Sequence, residues 1–372
     1  MKEALTKIVA TIGPASEKKE IIEQMAMAGV DVFRVNLKHS SEKWHFEAIK
    51  RIKAISTRIK KPVAILLDVP EKLKHQKIPL FSLVDFVAVS FAQDQKDIKR
   101  FRSIVPKNVK LIAKIEDPMG IKNFDSILNC SDGIMIARGD LAKEIPFERL
   151  PYYQKTLIKK STEKGKPTIV ATEMLKSMVE NKFPTRAEIS DIANAILDYA
   201  DALMLSEETA IGKYPVLSVK TMEKICLFWE KKRELPLNFD FEINSQVAAV
   251  TFSAWQLWIK CCQKRFTVKA FFVLTKTGTM VRLLSRLKPK IPILAFANNE
   301  KIQHQLSLYF GVKPSLIKEN LYQKRGPQEI KKLLTIAKES FDFKKQDRII
   351  LIYSEDWKTK IPVFVVRVHQ IP

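Results

Sequence analysis

The first 235 residues alternate short apolar runs with longer stretches in which apolar positions recur at helical spacing. The apolar runs are Lys7–Thr11, Val30–Val35, Pro62–Leu67, Asp85–Ser90, Lys110–Ile115, Gly133–Ala137, Thr168–Ala171 and Ala202–Leu205. Most are continuously apolar rather than alternating, as expected of parallel strands buried on both faces. Between them, Glu17–Ala28, Glu42–Ile59, Gln95–Ile104, Tyr152–Lys164 and Arg186–Leu197 read as amphipathic helices. Eight such strand–helix units predict a closed (β/α)8 barrel, with an open doubly wound sheet as the alternative.

After Arg233–Asn244, a stretch with Pro236 and little periodicity, the pattern predicts a second, smaller α/β unit. Its elements are a helix over Ser245–Lys264, a strand over Ala270–Leu274 and a helix opened by Thr275-Lys276-Thr277-Gly278 and running to Leu287. A strand over Ile291–Phe296, helices over Glu300–Phe310 and Pro327–Glu339, and strands over Arg348–Tyr353 and Val363–Val368 complete it. The expected domains are therefore residues 1–235, the barrel, and 236–372, the smaller unit.

A (β/α)8 barrel carries its chemistry just past the C-terminal ends of its strands. The polar residues at those places are Arg34 and Asn36, Asp68, Lys114 and Glu116, Arg138-Gly139-Asp140, Thr172 and Ser206. Lys114 and Glu116 are two apart on one strand, so they point the same way. One such pair could be a structural ion pair, but polar groups at six strand ends together indicate a site.

Composition narrows the picture. The 372 residues carry a formal net charge of +23, and residues 236–372 hold 23 basic against 10 acidic side chains. A basic surface attracts nucleic acid, yet the lysines are scattered and no aromatic-interleaved basic motif appears, so solvated lysines are the expectation. Four cysteines without metal-ligand spacing, no signal-like amino terminus and no membrane-length apolar run predict a cytoplasmic protein. Only 10 glycines are present, which makes each one informative.

Several motifs are long enough to compare with a family. Thr6-Lys7-Ile8-Val9-Ala10-Thr11-Ile12-Gly13-Pro14-Ala15-Ser16 opens the chain, and Lys114-Ile115-Glu116 precedes Gly120. Ser131-Asp132-Gly133-Ile134-Met135-Ile136-Ala137-Arg138-Gly139-Asp140-Leu141 follows. Then come Ala171-Thr172-Glu173-Met174-Leu175, Pro184-Thr185-Arg186-Ala187-Glu188 and Met204-Leu205-Ser206-Glu207-Glu208-Thr209-Ala210. In this order they resemble pyruvate kinase, strongly over the barrel and weakly beyond it. The resemblance implies phosphoryl transfer from phosphoenolpyruvate to ADP. It implies Lys114 and Arg34 on the transferring group, Glu116 and Asp140 on Mg²⁺ or Mn²⁺, and the backbone of Gly139 and Asp140 on the substrate carboxylate. The resemblance also implies that Thr172 and Ser206 belong to the network that protonates the enolate, although a helix N-cap is an equal reading for Ser206. His39 and Asn36 fall at positions near the nucleotide, with capping or packing as the alternative for His39. Homo-oligomers, usually tetramers, are implied by the family alone.

The chain also departs from the family. The lid domain inserted after the third barrel strand is absent, since Leu67-Asp68-Val69-Pro70-Glu71-Lys72-Leu73-Lys74 runs almost directly to the next strand. Weaker ADP binding and a lower rate are expected, and Lys72 or Lys74 would imperfectly replace an arginine of that region. Of four K⁺ ligands, Asn36 and Asp68 match, but Lys38 and Val69 stand where a serine and a threonine would be. Two expectations follow: the Lys38 ammonium takes the place of K⁺ beside Asp68, or Lys38 is solvated and the cation site is dead. Glu173 replaces a glutamine, while Tyr199 and Glu207 replace glycines, Glu207 bringing negative charge towards the mouth. Thr275–Thr279 resembles a loop that binds a sugar-phosphate effector, but Ser354-Glu355-Asp356-Trp357-Lys358 replaces its glycine-rich partner, so such activation is not expected. Two other functions stay open: a silent phosphoenolpyruvate-binding regulatory protein, and a metal-dependent lyase acting on pyruvate or oxaloacetate.

Overall fold

The computed structural model describes residues 3–71, 78–264, 266–317, 327–338, 341, 343–354 and 363–371. Two compact units are present: Met1–Glu234 with Ser307–Phe310, and Leu235–Leu306 with Gly311–Pro372.

The first unit is a closed barrel of eight parallel strands in sequential order. They are β1 (Lys7–Thr11), β2 (Val30–Asn36), β3 (Ala64–Val69), β4 (Phe86–Val89), β5 (Lys110–Ile115), β6 (Gly133–Ala137), β7 (Thr168–Ala171) and β8 (Ala202–Leu205). Strand β8 closes the ring by pairing Met204 with Val9 of β1. Side chains alternate across each strand, and the sequence exploits this at the barrel's C-terminal end. Val9, Val32, Leu66, Ala88, Ile112 and Met204 fill the lumen. Two residues further along each strand come Thr11, Arg34, Asp68, Ser90, Lys114 and Ser206. The lumen is thus apolar below and polar at its mouth. Outside, the helices are fixed at their starts: Ser41 caps Glu42–Ile59, and Thr185 with Glu188 forms a capping box on Arg186–Leu197.

The opposite end of the lumen is closed from far along the chain. The expected helix Glu300–Phe310 stops at Leu306, because the next four residues belong to the barrel unit. Leu308 is completely buried and joins the lumen cluster with Val9, Val32, Ala64 and Leu66. Ser307 Oγ donates to the carbonyl of Pro62 at 3.2 Å, and the Phe310 N–H reaches Asp201 Oδ1 at 3.4 Å. The buried Arg233 guanidinium lies 4.3 Å from the Phe310 ring centre and 5.3 Å from that of Tyr199. Burial, opposed by Glu230, Tyr199 and Asp201, lowers the Arg233 pKa to about 10. Tyr199, standing where a glycine was noted, has a φ of 73°, the left-handed region that glycine tolerates best.

Carboxylates on the helix Pro215–Lys232 hold down the start of the chain. Glu223 accepts the Ala4 N–H at 2.7 Å, and Glu230 accepts the Leu5 and Thr6 N–H groups. Burial, reinforced by the nearby charges of Asp31, Glu230 and Glu3, raises the Glu223 pKa to about 7. The folded state therefore holds this proton more tightly than the unfolded chain. That contribution is complete below the ordinary carboxylate range and is lost as pH rises through about 7. Glu223→Gln keeps an acceptor for Ala4 and removes the charge. Urea unfolding should show it about 2 kcal/mol more stable than the parent at pH 8 and equal to it at pH 4. Equal stabilities at both values would contradict this picture.

The second unit holds a sheet of order β11-β10-β9-β12-β13. Its strands are β9 (Val268–Thr275), β10 (Ile293–Ala297), β11 (Val312–Leu316), β12 (Arg348–Ser354) and β13 (Phe364–Gln370). All neighbours are parallel except β12 with β13. Strand β11 was not expected from the sequence. It contains Pro314 and lies at the edge, where a proline removes no ladder bond the sheet needs. Gly278 has a φ of 78° and donates its N–H to Thr275 Oγ1 at 2.9 Å, opening the helix Thr279–Ser285. Of Ser354–Lys358, only Ser354 lies within the described residues.

Candidate active site

Asp68 is the centre of the polar mouth. It ends the apolar run of β3 and is 1% exposed. Its Oδ2 accepts from Arg34 Nε at 2.8 Å and pairs with Arg34 NH2 at 2.8 Å. Its Oδ1 accepts from Lys114 Nζ at 3.1 Å. Arg34 NH1 also donates to Thr11 Oγ1 at 3.0 Å. Burial alone would raise the Asp68 pKa, but the charges of Lys114 and then Arg34 outweigh it and hold the carboxyl below its usual range.

Lys114 bridges two carboxylates. Its Nζ lies 3.1 Å from Glu116 Oε1 as well as 3.1 Å from Asp68, and it donates to Ser90 Oγ at 3.0 Å. Burial opposes its charge, yet Asp68 and Glu116 prevail and raise its pKa. Glu116 Oε2 accepts the Phe91 N–H at 2.7 Å. Burial raises the Glu116 pKa against the pull of Lys114. Two cations and two carboxylates thus form a charge-balanced cluster reaching from β2 to the end of β5.

Ser90 and the Phe91 backbone were not singled out in the sequence. The signal was present: Ser90 just past β4, like Asp68 near the end of β3, lies two residues after a lumen position. Phe91, with a φ of 47°, turns the chain so that its N–H meets Glu116.

On the other side of the barrel the expected residues are arranged differently. Asp140 is exposed, and its Oδ1 lies 3.3 Å from Lys143 Nζ. Thr172 Oγ1 accepts the Gly139 N–H at 2.7 Å and donates to the carbonyl of Ala171 at 2.6 Å. Gly139 is therefore not an open backbone donor for a substrate carboxylate. Its lack of a side chain admits Thr172, whose Oγ1 would lie 3.2 Å from a Cβ built there. Ser206 precedes the short helix Glu207–Ala210 without making a side-chain cap, so the capping alternative does not hold. Its Oγ is buried with no hydrogen-bond partner, while its N–H donates to Glu208 Oε2 at 2.7 Å. Glu207 pairs with Lys176, which offsets the negative charge expected of it.

The expectation that Lys38 sits beside Asp68 is overturned. Lys38 is exposed, and both Asp68 oxygens are engaged by Arg34 and Lys114. Asn36 Oδ1 accepts the Lys38 N–H at 3.0 Å, a turn that ends the strand alternation and directs Lys38 outward. Val69 is fully buried in the apolar layer between strands and helices. The remaining donor set does not fit a monovalent cation. His39 is exposed, so its side chain is not packed, and the helix that follows is capped by Ser41 instead. Lys72 and Lys74 lie outside the described residues.

Comparison with known proteins gives the site its context. The family model for the pyruvate kinase barrel domain matches residues 3–74 and 71–219, and the model for the pyruvate kinase alpha/beta domain matches residues 259–368. The chain belongs to the pyruvate kinase family. It is 31% identical to the pyruvate kinase of Thermococcus litoralis, covering 99% of this chain and 98% of that one. It is 43% identical to the pyruvate kinase of Thermoplasma acidophilum over 62% of this chain and 42% of the other. The first alignment extends over 489 positions although this chain has 372 residues, and the barrel match divides into two pieces that overlap at residues 71–74, after β3. That division is where the lid was expected to be missing. Among the described residues no helix is long and apolar enough to cross a membrane.

Proposed function

We propose that the chain transfers the phosphoryl group of phosphoenolpyruvate to ADP, giving pyruvate and ATP, without a lid over the barrel mouth. The observation carrying this reading is Lys114 Nζ held 3.1 Å from both Asp68 and Glu116, with Arg34 fixed on the other Asp68 oxygen. Cations fixed in advance stabilise charge on a transferring phosphoryl group without reorganising during reaction. The Arg34 fork is held by Asp68 and Thr11, and its remaining N–H groups offer donors to the same group. Glu116 and Asp140 would supply hard oxygens for Mg²⁺ or Mn²⁺ on giving up Lys114 and Lys143, since such an ion typically binds one or two carboxylates and completes its shell with substrate oxygens and water. Such an ion would neutralise the oxygens of the bound phosphates. Thr172 and Ser206 belong to the proton path to the enolate carbon, and His39 with Asn36 lies towards the nucleotide.

Because Arg34 and Lys114 already balance Asp68 and Glu116, turnover should need no monovalent metal ion. The decisive assay follows pyruvate formation from phosphoenolpyruvate with Mg²⁺, with and without ADP, using tetramethylammonium as the monovalent cation. Pyruvate formed only with ADP, at a rate within about threefold of that in K⁺, is expected. Strict dependence on added K⁺ would remove the charge-balance argument. Pyruvate from oxaloacetate without nucleotide would instead show a lyase. No turnover despite phosphoenolpyruvate binding by calorimetry would show a silent binding protein.

A further inference from the structure

We propose that Arg138 and Asp191 are positioning residues that hold Thr172 in a backbone conformation it would not adopt unaided. The proposal rests on the reading above that Thr172 takes part in proton transfer. Thr172 has a φ of 73°. The left-handed region is unusual for any residue with a side chain and a true outlier for a β-branched one. Such conformations persist where the surroundings over-determine them, and they cluster at functional sites.

The surroundings here are specific. The Arg138 guanidinium follows β6 and is almost completely buried. Its NH2 donates to the Thr172 carbonyl at 2.9 Å. Its NH1 lies 2.7 Å and 2.6 Å from the two carboxylate oxygens of Asp191, on the helix Arg186–Leu197, and 3.4 Å from Gln154 Oε1. Asp191 fixes the guanidinium, and the guanidinium fixes the carbonyl. On its other side Thr172 is held through its hydroxyl by the Gly139 N–H at 2.7 Å. A threonine relaxed to negative φ would turn its peptide and lose the Arg138 contact. The clamp therefore sets the place of the hydroxyl before substrate arrives, which is how preorganised groups assist a reaction.

A double-mutant cycle tests this. The readout is exchange of pyruvate methyl protons with deuterium from solvent in the presence of Mg²⁺, followed by NMR, which reports proton transfer at carbon alone. Arg138→Met and Thr172→Ala should each slow exchange about 100-fold, and the double variant should be no slower than the worse single one within about threefold. Phosphoenolpyruvate affinity by calorimetry should change less than about threefold in Arg138→Met, with an unaltered circular dichroism spectrum. Asp191→Asn should slow exchange about tenfold with the same non-additivity, and it carries the cycle if Arg138→Met does not fold. Multiplying effects, or wild-type exchange in the Arg138 and Asp191 variants while Thr172→Ala is slow, would overturn the proposal alone. Wild-type exchange in Thr172→Ala would overturn the role given to Thr172 and the proposal with it.

Discussion

Lys114→Met is expected to lower turnover by about 10³-fold, equivalent to about 4 kcal/mol of transition-state stabilisation. Methionine preserves the volume of the stem and removes only the charge and its donors. The cluster then changes from two cations and two carboxylates to one cation and two carboxylates. Glu116 loses its ion pair and keeps only the Phe91 N–H, while Asp68 keeps Arg34. A transferring phosphoryl group would meet net negative charge where it now meets balance. Divalent-metal affinity should survive, because neither Glu116 nor Asp140 is altered. Steady-state kinetics with a metal titration separates the two effects. Unchanged turnover would remove Lys114 from the mechanism, and lost metal binding would show that the variant had collapsed the cluster.

Leu308→Ala should destabilise the barrel unit by about 3 kcal/mol, read as a lower urea midpoint. Leu308 is fully buried, and its neighbours Val9, Val32, Ala64 and Leu66 stand on parallel strands whose spacing is set by backbone hydrogen bonds. Such strands cannot close in on a lost isobutyl group, so most of the cavity should remain. The site at the far end of the lumen is untouched, and turnover at low temperature should stay near that of the parent. A midpoint shift equivalent to less than about 1 kcal/mol would show that the plug contributes little packing.

The barrel was legible because its strands are uninterrupted apolar runs and its helices keep a helical period. Much of the mouth was legible for the same reason. Arg34, Asp68 and Lys114 each follow a lumen residue by two positions, so alternation alone points them inward. Ser90 obeys the same rule, two positions after the lumen residue Ala88. Lys38 was expected beside Asp68 because it stands where the family has a cation ligand, but the turn closed by Asn36 carries it out to solvent. Thr172 could be found as a polar residue after a strand, whereas its left-handed backbone and the Arg138 clamp arise from contacts among distant elements. The departure of Ser307–Phe310 from the preceding helix was likewise invisible. Nothing in that local pattern distinguishes a further helical turn from a plug.

The return of the chain at Ser307–Phe310 also orders events during synthesis. Domains commonly fold as they emerge from the ribosome, amino terminus first. Here the last barrel strand ends at Leu205, but the residue that closes the lumen is Leu308. A nascent chain halted between them would hold every strand of the barrel and still expose the apolar end of its lumen. Completion of the catalytic unit thus waits on translation through Phe310, past the first stretch of the second unit.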